Sequence, residues 1–317
     1  MSNTIDAVVA VPSGDALGAE VRGVDFCAPV ADAVGQRLRA LWAEHLVLLF
    51  RGQSLDDERL LEVADVFGGR QVAGSRAYFI KAGHKPGESA RVAEKAAISV
   101  ISNLDDKGKL AAGAGGNAPL KWHSDNSYVE TPPRGSLLHA HRVPDDGGGV
   151  TSFNNQYLAY DRLPDRLKTA IEGKHICHDN TRNTTGAFRP TVKPPESRAD
   201  IHGPVHPIVR VHPETDRRAL YLGRHYAWPS SYVVELDDTA SEALLAELWE
   251  YATREDLVWS HHWQAGDLLL WDNRCTMHAR SAVDHTQQRV MHRALVKGEA
   301  VLSAWPEVPR PASAATA

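Results

Sequence analysis

The sequence predicts a mixed α+β fold with a mainly β core. Short apolar strand candidates are spread along the whole chain, amphipathic helical segments lie between them, and candidate metal ligands fall near strand ends. Strands so spread, with candidate ligands near their ends, suit a jelly-roll barrel, while periodicity by itself indicates only mixed α and β. The 317 residues are long for one average domain but within range for a single all-β core with helical decoration. Hydrophobic residues make up 43% and charged residues 24%, so a sizeable core can form.

Residues 31–46 place Val34, Leu38, Leu41, Trp42 and Leu46 at helical spacing, and the apolar run Val47–Phe50 that follows reads as a strand. Ser54 ahead of Asp56-Asp57-Glu58 marks a capped helix start, with the helix running to Phe67-Gly68. Residues 69–120 are less regular. They hold one strand candidate, Ile98–Ser102, and a glycine-rich stretch at 111–116 that reads equally as an active-site lid or a mobile surface loop. Strands are expected at 136–142 and 150–153, then a helix over 157–173 interrupted near Pro164. Residues 179–200, rich in Thr, Arg and Pro, read as an insertion over one end of the core. A helix at 242–251 and strands at 256–263, 267–271 and 290–297 complete the pattern. There is no internal repeat. The expected organisation is one domain over 1–309, with loops inserted near 69–120 and 179–200 and a disordered tail at 310–317.

A net charge of −5, with no basic run, gives no reason to expect a nucleic-acid partner. The N-terminal residues lack a basic region followed by an apolar stretch, and no apolar run is long enough to span a bilayer. Three sparse cysteines, Cys27, Cys177 and Cys275, form no disulfide framework and no Cys-x-x-Cys spacing, which fits a cytoplasmic location. Cys275, close to a candidate ligand, reads as a small buried strand residue.

The chemistry sits in two separated segments, Trp122-His123-Ser124-Asp125 and Trp271-Asp272-Asn273-Arg274 through His278. Two imidazoles and one carboxylate make a facial metal site with open positions, as expected of a non-haem Fe(II) oxygenase. With 16 His and 40 acidic residues, chance yields roughly two His-x-acid pairs, and the chain has two, at His123 and His212, so context must decide between them. On a strand, His123 and Asp125 would face the same side. A third ligand must come from elsewhere, and His278 is the candidate; the plain alternative is a strand-end histidine bonded to a carbonyl. Arg289, eleven positions after His278, is a cation that could anchor a dicarboxylate co-substrate. The pairs His139/His141 and His261-His262 lack a matching carboxylate and arginine and read as structural or surface residues.

Residues 122–128 (WHSDNSY), 266–278 (GDLLLWDNRCTMH) and 288–294 (QRVMHRA) resemble the taurine dioxygenase / 2,4-dichlorophenoxyacetate dioxygenase family of Fe(II)/2-oxoglutarate-dependent dioxygenases. The resemblance begins with residues 18–25 and 47–53 and runs to about residue 300. It implies a double-stranded β-helix (jelly roll, cupin-like) with flanking helices. It implies Fe(II) on His123, Asp125 and His278, with 2-oxoglutarate and O2 as co-substrates and succinate and CO2 as products. The far carboxylate of 2-oxoglutarate would pair with Arg289 and the Thr151 hydroxyl. Val150 departs from the family, where an acidic residue often precedes that threonine. Trp271 and Asn273, expected on the strand before His278, would pack against and orient the ligands. Asp125 implies oxygenation rather than halogenation, so turnover with chloride should yield no chlorinated product. Arg293 and Lys81 are candidate anchors for a small anionic substrate, and Arg182, Arg189 and Arg198 of the 179–200 segment could line its pocket. Relatives suggest a homo-oligomer. A metal-dependent hydrolase and a non-catalytic binding protein on the same barrel are the alternatives.

Overall fold

The computed structural model describes residues 3–72, 76–81, 83–88, 92–110, 116–189 and 192–305. Most of the glycine-rich stretch and the expected disordered tail lie outside the described residues. After a 3-10 turn at Ile5–Ala7 come β1 (Val9–Pro12), β2 (Ala19–Arg22), α1 (Asp32–His45), β3 (Val47–Phe50), α2 (Asp57–Val66), β4 (Arg70–Gln71), α3 (Arg76–Lys81), β5 (Ile98–Ser102) and β6 (Leu120–His123). Strands β7 (Gly135–Arg142) and β8 (Thr151–Asn155) precede α4 (Gln156–Asp161) and α5 (Asp165–Ile171). Five short strands follow: β9 (His175–Cys177), β10 (Val205–Pro207), β11 (Val209–Val211), β12 (Arg218–Leu220) and β13 (Tyr232–Val233). Helix α6 (Asp238–Ala252) then leads into β14 (Val258–His261), β15 (Leu268–Asp272), β16 (Thr276–Arg280), β17 (Val290–Val296) and β18 (Leu302–Ser303).

Two sheets carry the architecture. The larger runs β1-β2-β3-β15-β7-β17-β4, with β5 also on β17; its β2–β3 pairing is parallel and its central pairings are antiparallel. The smaller runs β14-β8-β16-β6, antiparallel throughout. Alternation along the strands sorts side chains into layers. Leu48, Phe50, Leu137, Leu268, Leu270, Ala294 and Val296 pack outward against the apolar faces of α1 and α2, including Leu38, Trp42, Leu60 and Phe67. Their odd-and-even partners Val47, Leu49, Leu138, Leu269, Trp271 and Met291 face the small sheet, where they meet Phe153. A third cluster, from α4, α5, α6 and β11 to β13, covers the outer side of β16 at Met277. The space between the sheets is therefore where inward residues of β6, β8, β16 and β17 converge.

Several local expectations are refined. The cap of α2 is Asp56, whose carboxylate accepts from Arg59 N at 2.8 Å, rather than Ser54. Pro164 splits the 157–173 helix into α4 and α5 and stands as the N-cap of α5, because a proline ring cannot continue the preceding turn. Helix α6 begins at Asp238, earlier than expected, since Asp237 caps it through Ala240 N at 2.8 Å. Asn273 and Cys275 lie in the turn between β15 and β16, not on a strand; Cys275 is buried as expected. No helix among the described residues is long and apolar enough to cross a membrane.

Candidate active site

Strand β6 ends at His123, and its register with β16 sets His123 opposite His278, with ring centroids 4.1 Å apart. Asp125 lies beyond the strand. Ser124 N–H donates to Gly223 O at 3.0 Å, and the chain then turns through Asn126 at φ 50°. Asparagine tolerates that left-handed conformation. The turn, and not strand alternation, brings the carboxylate to the imidazoles. Asp125 Oδ1 is 3.9 Å from His123 Nε2, and one donor atom from each of His123, Asp125 and His278 lies within 4.8 Å of the others. All three are buried.

Their protonation suits a cation. His123 Nδ1 sits 2.7 Å from Lys121 O; a carbonyl only accepts, so Nδ1 carries the proton and Nε2 keeps its lone pair. Burial, reinforced by His278, pushes His123 well below its ordinary pKa. Burial likewise lowers His278 to about 4. Burial opposes ionisation of Asp125, but the Arg293 guanidinium, the two histidines and the Ser136 hydroxyl hold it well below the usual carboxylate range. Two neutral imidazoles and one carboxylate on one face fit Fe(II) or a similar divalent ion, with positions left for other ligands.

A relay fixes the carboxylate. Trp271 Nε1 donates to Asn273 Oδ1 at 3.0 Å, Asn273 Nδ2 donates to Ser136 Oγ at 3.2 Å, and Ser136 Oγ donates to Asp125 Oδ2 at 2.8 Å. The Trp271 ring also packs on His278, with centroids 4.9 Å apart. Trp271 packs on His278 and Asn273 passes a hydrogen bond on to Ser136, which touches Asp125 and gave no sequence signal. On the other carboxylate edge, Arg293 Nη1 lies 3.1 Å from Asp125 Oδ1.

His212, Asp272 and Cys275 form a second cluster of ligand-type atoms. Its oxygens are already engaged: Asp272 Oδ2 receives Arg274 Nη2 at 2.6 Å and faces His212 Nε2 at 3.1 Å. Burial holds the Cys275 thiol protonated by raising it well above its ordinary value. This cluster staples the β15–β16 turn.

Arg289 immediately precedes β17, and Thr151 opens β8. Arg289 is 3% exposed, forms no ion pair among the described residues, and has an unpartnered Nε. Burial, with the charge of Arg280 beside it, lowers its pKa to about 9. Gly149 makes the approach: it adopts φ 74°, and a Cβ there would sit 3.2 Å from the Arg289 side chain. Thr151 Oγ1 accepts from Trp263 Nε1 at 2.9 Å, which leaves its own proton to donate. Arg280 stands opposite Thr151 across the β16–β8 ladder and donates to Gly116 O at 2.6 Å and to Ala118 O. A buried guanidinium without a carboxylate partner among the described residues fits a carboxylate such as the distal one of 2-oxoglutarate, and the Thr151 hydroxyl keeps a proton to donate.

A cavity of 450 Å³ opens from the triad. Arg76, Arg189, Arg224, Arg280 and Arg293 line it against one carboxylate, Asp125. Arg289 and Thr151 are not in this lining. Neither is Lys81, which is exposed. On α3, Arg76 and Phe79 are three residues apart and share the cavity face, whereas Lys81 falls on another side. From the 179–200 segment, Asn183, Thr184, Thr185, Phe188 and Arg189 line the cavity. Arg182 stacks on Phe188 at 4.1 Å from the ring centroid, and Arg198 turns away to Asp238 at 2.8 Å.

Fold and site together define an α-ketoglutarate-dependent dioxygenase. A family model described as "Taurine catabolism dioxygenase TauD, TfdA family" matches residues 10–295, and the chain belongs to that family. It is 33% identical to the α-ketoglutarate-dependent 2,4-dichlorophenoxyacetate dioxygenase of Cupriavidus pinatubonensis, over 93% of this chain and 100% of the relative. It is 30% identical to the α-ketoglutarate-dependent sulfate ester dioxygenase of Pseudomonas putida, over 91% of this chain and 89% of that one. Among solved structures, AAD-2 in complex with Mn(II) and N-oxalylglycine is similar at a TM-score of 0.78 and 27% identity, covering 93% of this chain and 99% of that one. The double-stranded β-helix expected from the sequence is therefore the fold, and the enzyme is an Fe(II)- and α-ketoglutarate-dependent oxidoreductase.

Proposed function

We propose that this enzyme oxidises a small anionic organic acid, by hydroxylation, with His123, Asp125 and His278 holding Fe(II), Arg289 and Thr151 holding 2-oxoglutarate, and Arg293 meeting the substrate's acidic group. The observation that carries the assignment is the buried triad, together with a buried Arg289 that forms no ion pair among the described residues. The arginine-rich lining of the cavity supports an anionic substrate, as do relatives whose names specify 2,4-dichlorophenoxyacetate and sulfate esters. Phe79, Val92, Ile98 and Phe188 in the same lining suit an apolar body.

When bound, the Fe(II) supplies O2 activation coupled to decarboxylation of 2-oxoglutarate, with one oxygen atom entering succinate and the other the substrate. The protein's own residues bind and orient. His123 keeps Nε2 unprotonated because its Nδ1–H donates to Lys121 O. Trp271, Asn273 and Ser136 fix the Asp125 carboxylate. Arg289 and Thr151 grip the distal carboxylate of the co-substrate by a planar fork and one hydroxyl bond. Arg293, now on Asp125, has N–H groups to spare for an incoming anion.

The test is an anaerobic titration with Fe(II) and then 2-oxoglutarate, following the visible charge-transfer band of a chelated keto acid. A band is expected, weakened at equal co-substrate concentration in Arg289→Ala. Bound iron without a band would instead favour a metal-dependent hydrolase or a non-catalytic protein.

A further inference from the structure

The assignment above gives no role to Arg224, a buried charge in the cavity lining. Arg289 is answered by the distal carboxylate of the co-substrate. Arg280 lies beside Arg289 and spends its Nη groups on the carbonyls of Gly116 and Ala118. Arg293 meets Asp125 and the first acidic group of a substrate. Arg224 has none of these partners. It is 5% exposed, lines the cavity, and forms no ion pair among the described residues. Its Nη1 donates to Arg182 O at 3.1 Å, and its Nε has no partner. A guanidinium carries five N–H donors, and burying it without an anion is costly.

Its position is fixed by the metal-binding strand. Arg224 forms a β-bridge with His123, and its charge is felt by both triad histidines. Its guanidinium stacks on the Tyr128 ring at 4.4 Å from the centroid, and Arg189 stacks on that ring at 4.5 Å. Tyr128 is buried, and its hydroxyl donates to Asn126 Oδ1 at 2.9 Å, so the platform is rigid. Arg293 reaches the triad from the large sheet, on the Asp125 side; Arg224 reaches it from the loop paired with the small sheet, on the His123 side.

We propose that the primary substrate carries two separated anionic groups on an apolar body, one met by Arg293 and the other by Arg224 against the Tyr128 ring. The proposal rests on the oxygenase reading above. A singly charged acid held at Arg293, which already faces Asp125, would leave Arg224 buried without a counter-charge. A dianion satisfies both and is held at two points, which fixes the bond presented to the metal.

The full chain, saturated with Mn(II) and N-oxalylglycine so that the co-substrate site is filled, is titrated calorimetrically with adipate, pimelate and suberate and with hexanoate, heptanoate and octanoate. At least one diacid should bind about tenfold or more tighter than its matching monoacid, the scale of one charge-assisted hydrogen bond. Arg224→Ala should erase that difference while leaving monoacid affinity within about twofold. Arg224→Gln serves if the alanine variant fails to fold, with retained Mn(II) and N-oxalylglycine binding as the folding control. Diacids no tighter than monoacids, or a preference that survives in both variants, would overturn the proposal. Failure of the unaltered protein to bind Mn(II) and N-oxalylglycine would overturn the oxygenase reading and this proposal with it.

Discussion

At the residue scale, the site works through hydrogen atoms whose placement is forced by their partners. Trp263 shows this most clearly. Its indole N–H can only donate, so Thr151 Oγ1 must accept it, and the threonine proton stays free to donate, in the proposed site to the distal carboxylate of the co-substrate. Trp263→Phe keeps the apolar ring but frees the hydroxyl to rotate and to point its proton elsewhere. The expected result is a rise of about fivefold in the Kd for 2-oxoglutarate, the size of one neutral hydrogen bond, with Mn(II) affinity unchanged. Calorimetry in the presence of Mn(II) measures both; an unchanged Kd would mean that Thr151 does not contact the co-substrate. Ser136 offers a parallel case. It is the last donor in the relay from Trp271, and it touches Asp125 directly. Ser136→Ala removes one bond to a buried carboxylate that Arg293 still holds, so metal affinity should fall about tenfold without loss of fold. An Mn(II) titration checks this, and equal affinity would confine the relay to packing.

At the element scale, helix ends offer the cleanest stability test, since their energetics are local. Asp56 caps α2 and Asp237 caps α6, each through one side-chain bond to a free backbone N–H. Each change to alanine should cost about 1 kcal/mol in urea unfolding, and the two should add, because the caps lie on different helices. Single variants as stable as the parent would show that these helices are held by packing alone, and a double variant no less stable than the singles would show that the two caps are coupled. The same local logic explains which elements could be read in the sequence. Helices α1 and α2 and strands β3, β7, β15 and β17 are long or apolar enough to carry a period, and their buried faces match it. Helix α3 and strands β9 to β13 are two to six residues long and have no period to find. The ligands His123 and His278 were legible because each sits in a motif. Asp125 was legible as a residue but not in its geometry, since the turn at Asn126 replaces strand alternation. Arg280 had a usable signal: it lies two residues from His278 on one strand and so shares its face. Arg224 and Trp263 had none, because the chain brings them in from loops and short segments distant in sequence.

At the scale of the whole molecule, burying neutral imidazoles ties stability to pH. Burial lowers His123, His139, His178, His261 and His278, and lowers His141 to about 4. Below an unfolded-state pKa of about 6.5, the unfolded chain takes up protons that these folded-state sites refuse. The unfolded state then binds more protons, so stability falls as pH drops from about 6.5 toward 4. Asp125 and Asp272 are depressed carboxyls, so their contribution is intact above about 3.9 and is lost only below it. Between those limits the histidines set the slope. His278, lowered to about 4, should alone remove about 2 kcal/mol between pH 7 and pH 5. Thermal melts of metal-free protein in chelator should therefore show Tm falling steeply from pH 7 to pH 5, with a shallower fall in His278→Gln. Mn(II) needs the same neutral imidazoles, so the stabilisation it adds at pH 7.5 should shrink as protons compete for them. A Tm independent of pH across that range would mean that the triad histidines are charged in the folded state, which would leave the site unable to take up a divalent ion without first releasing protons.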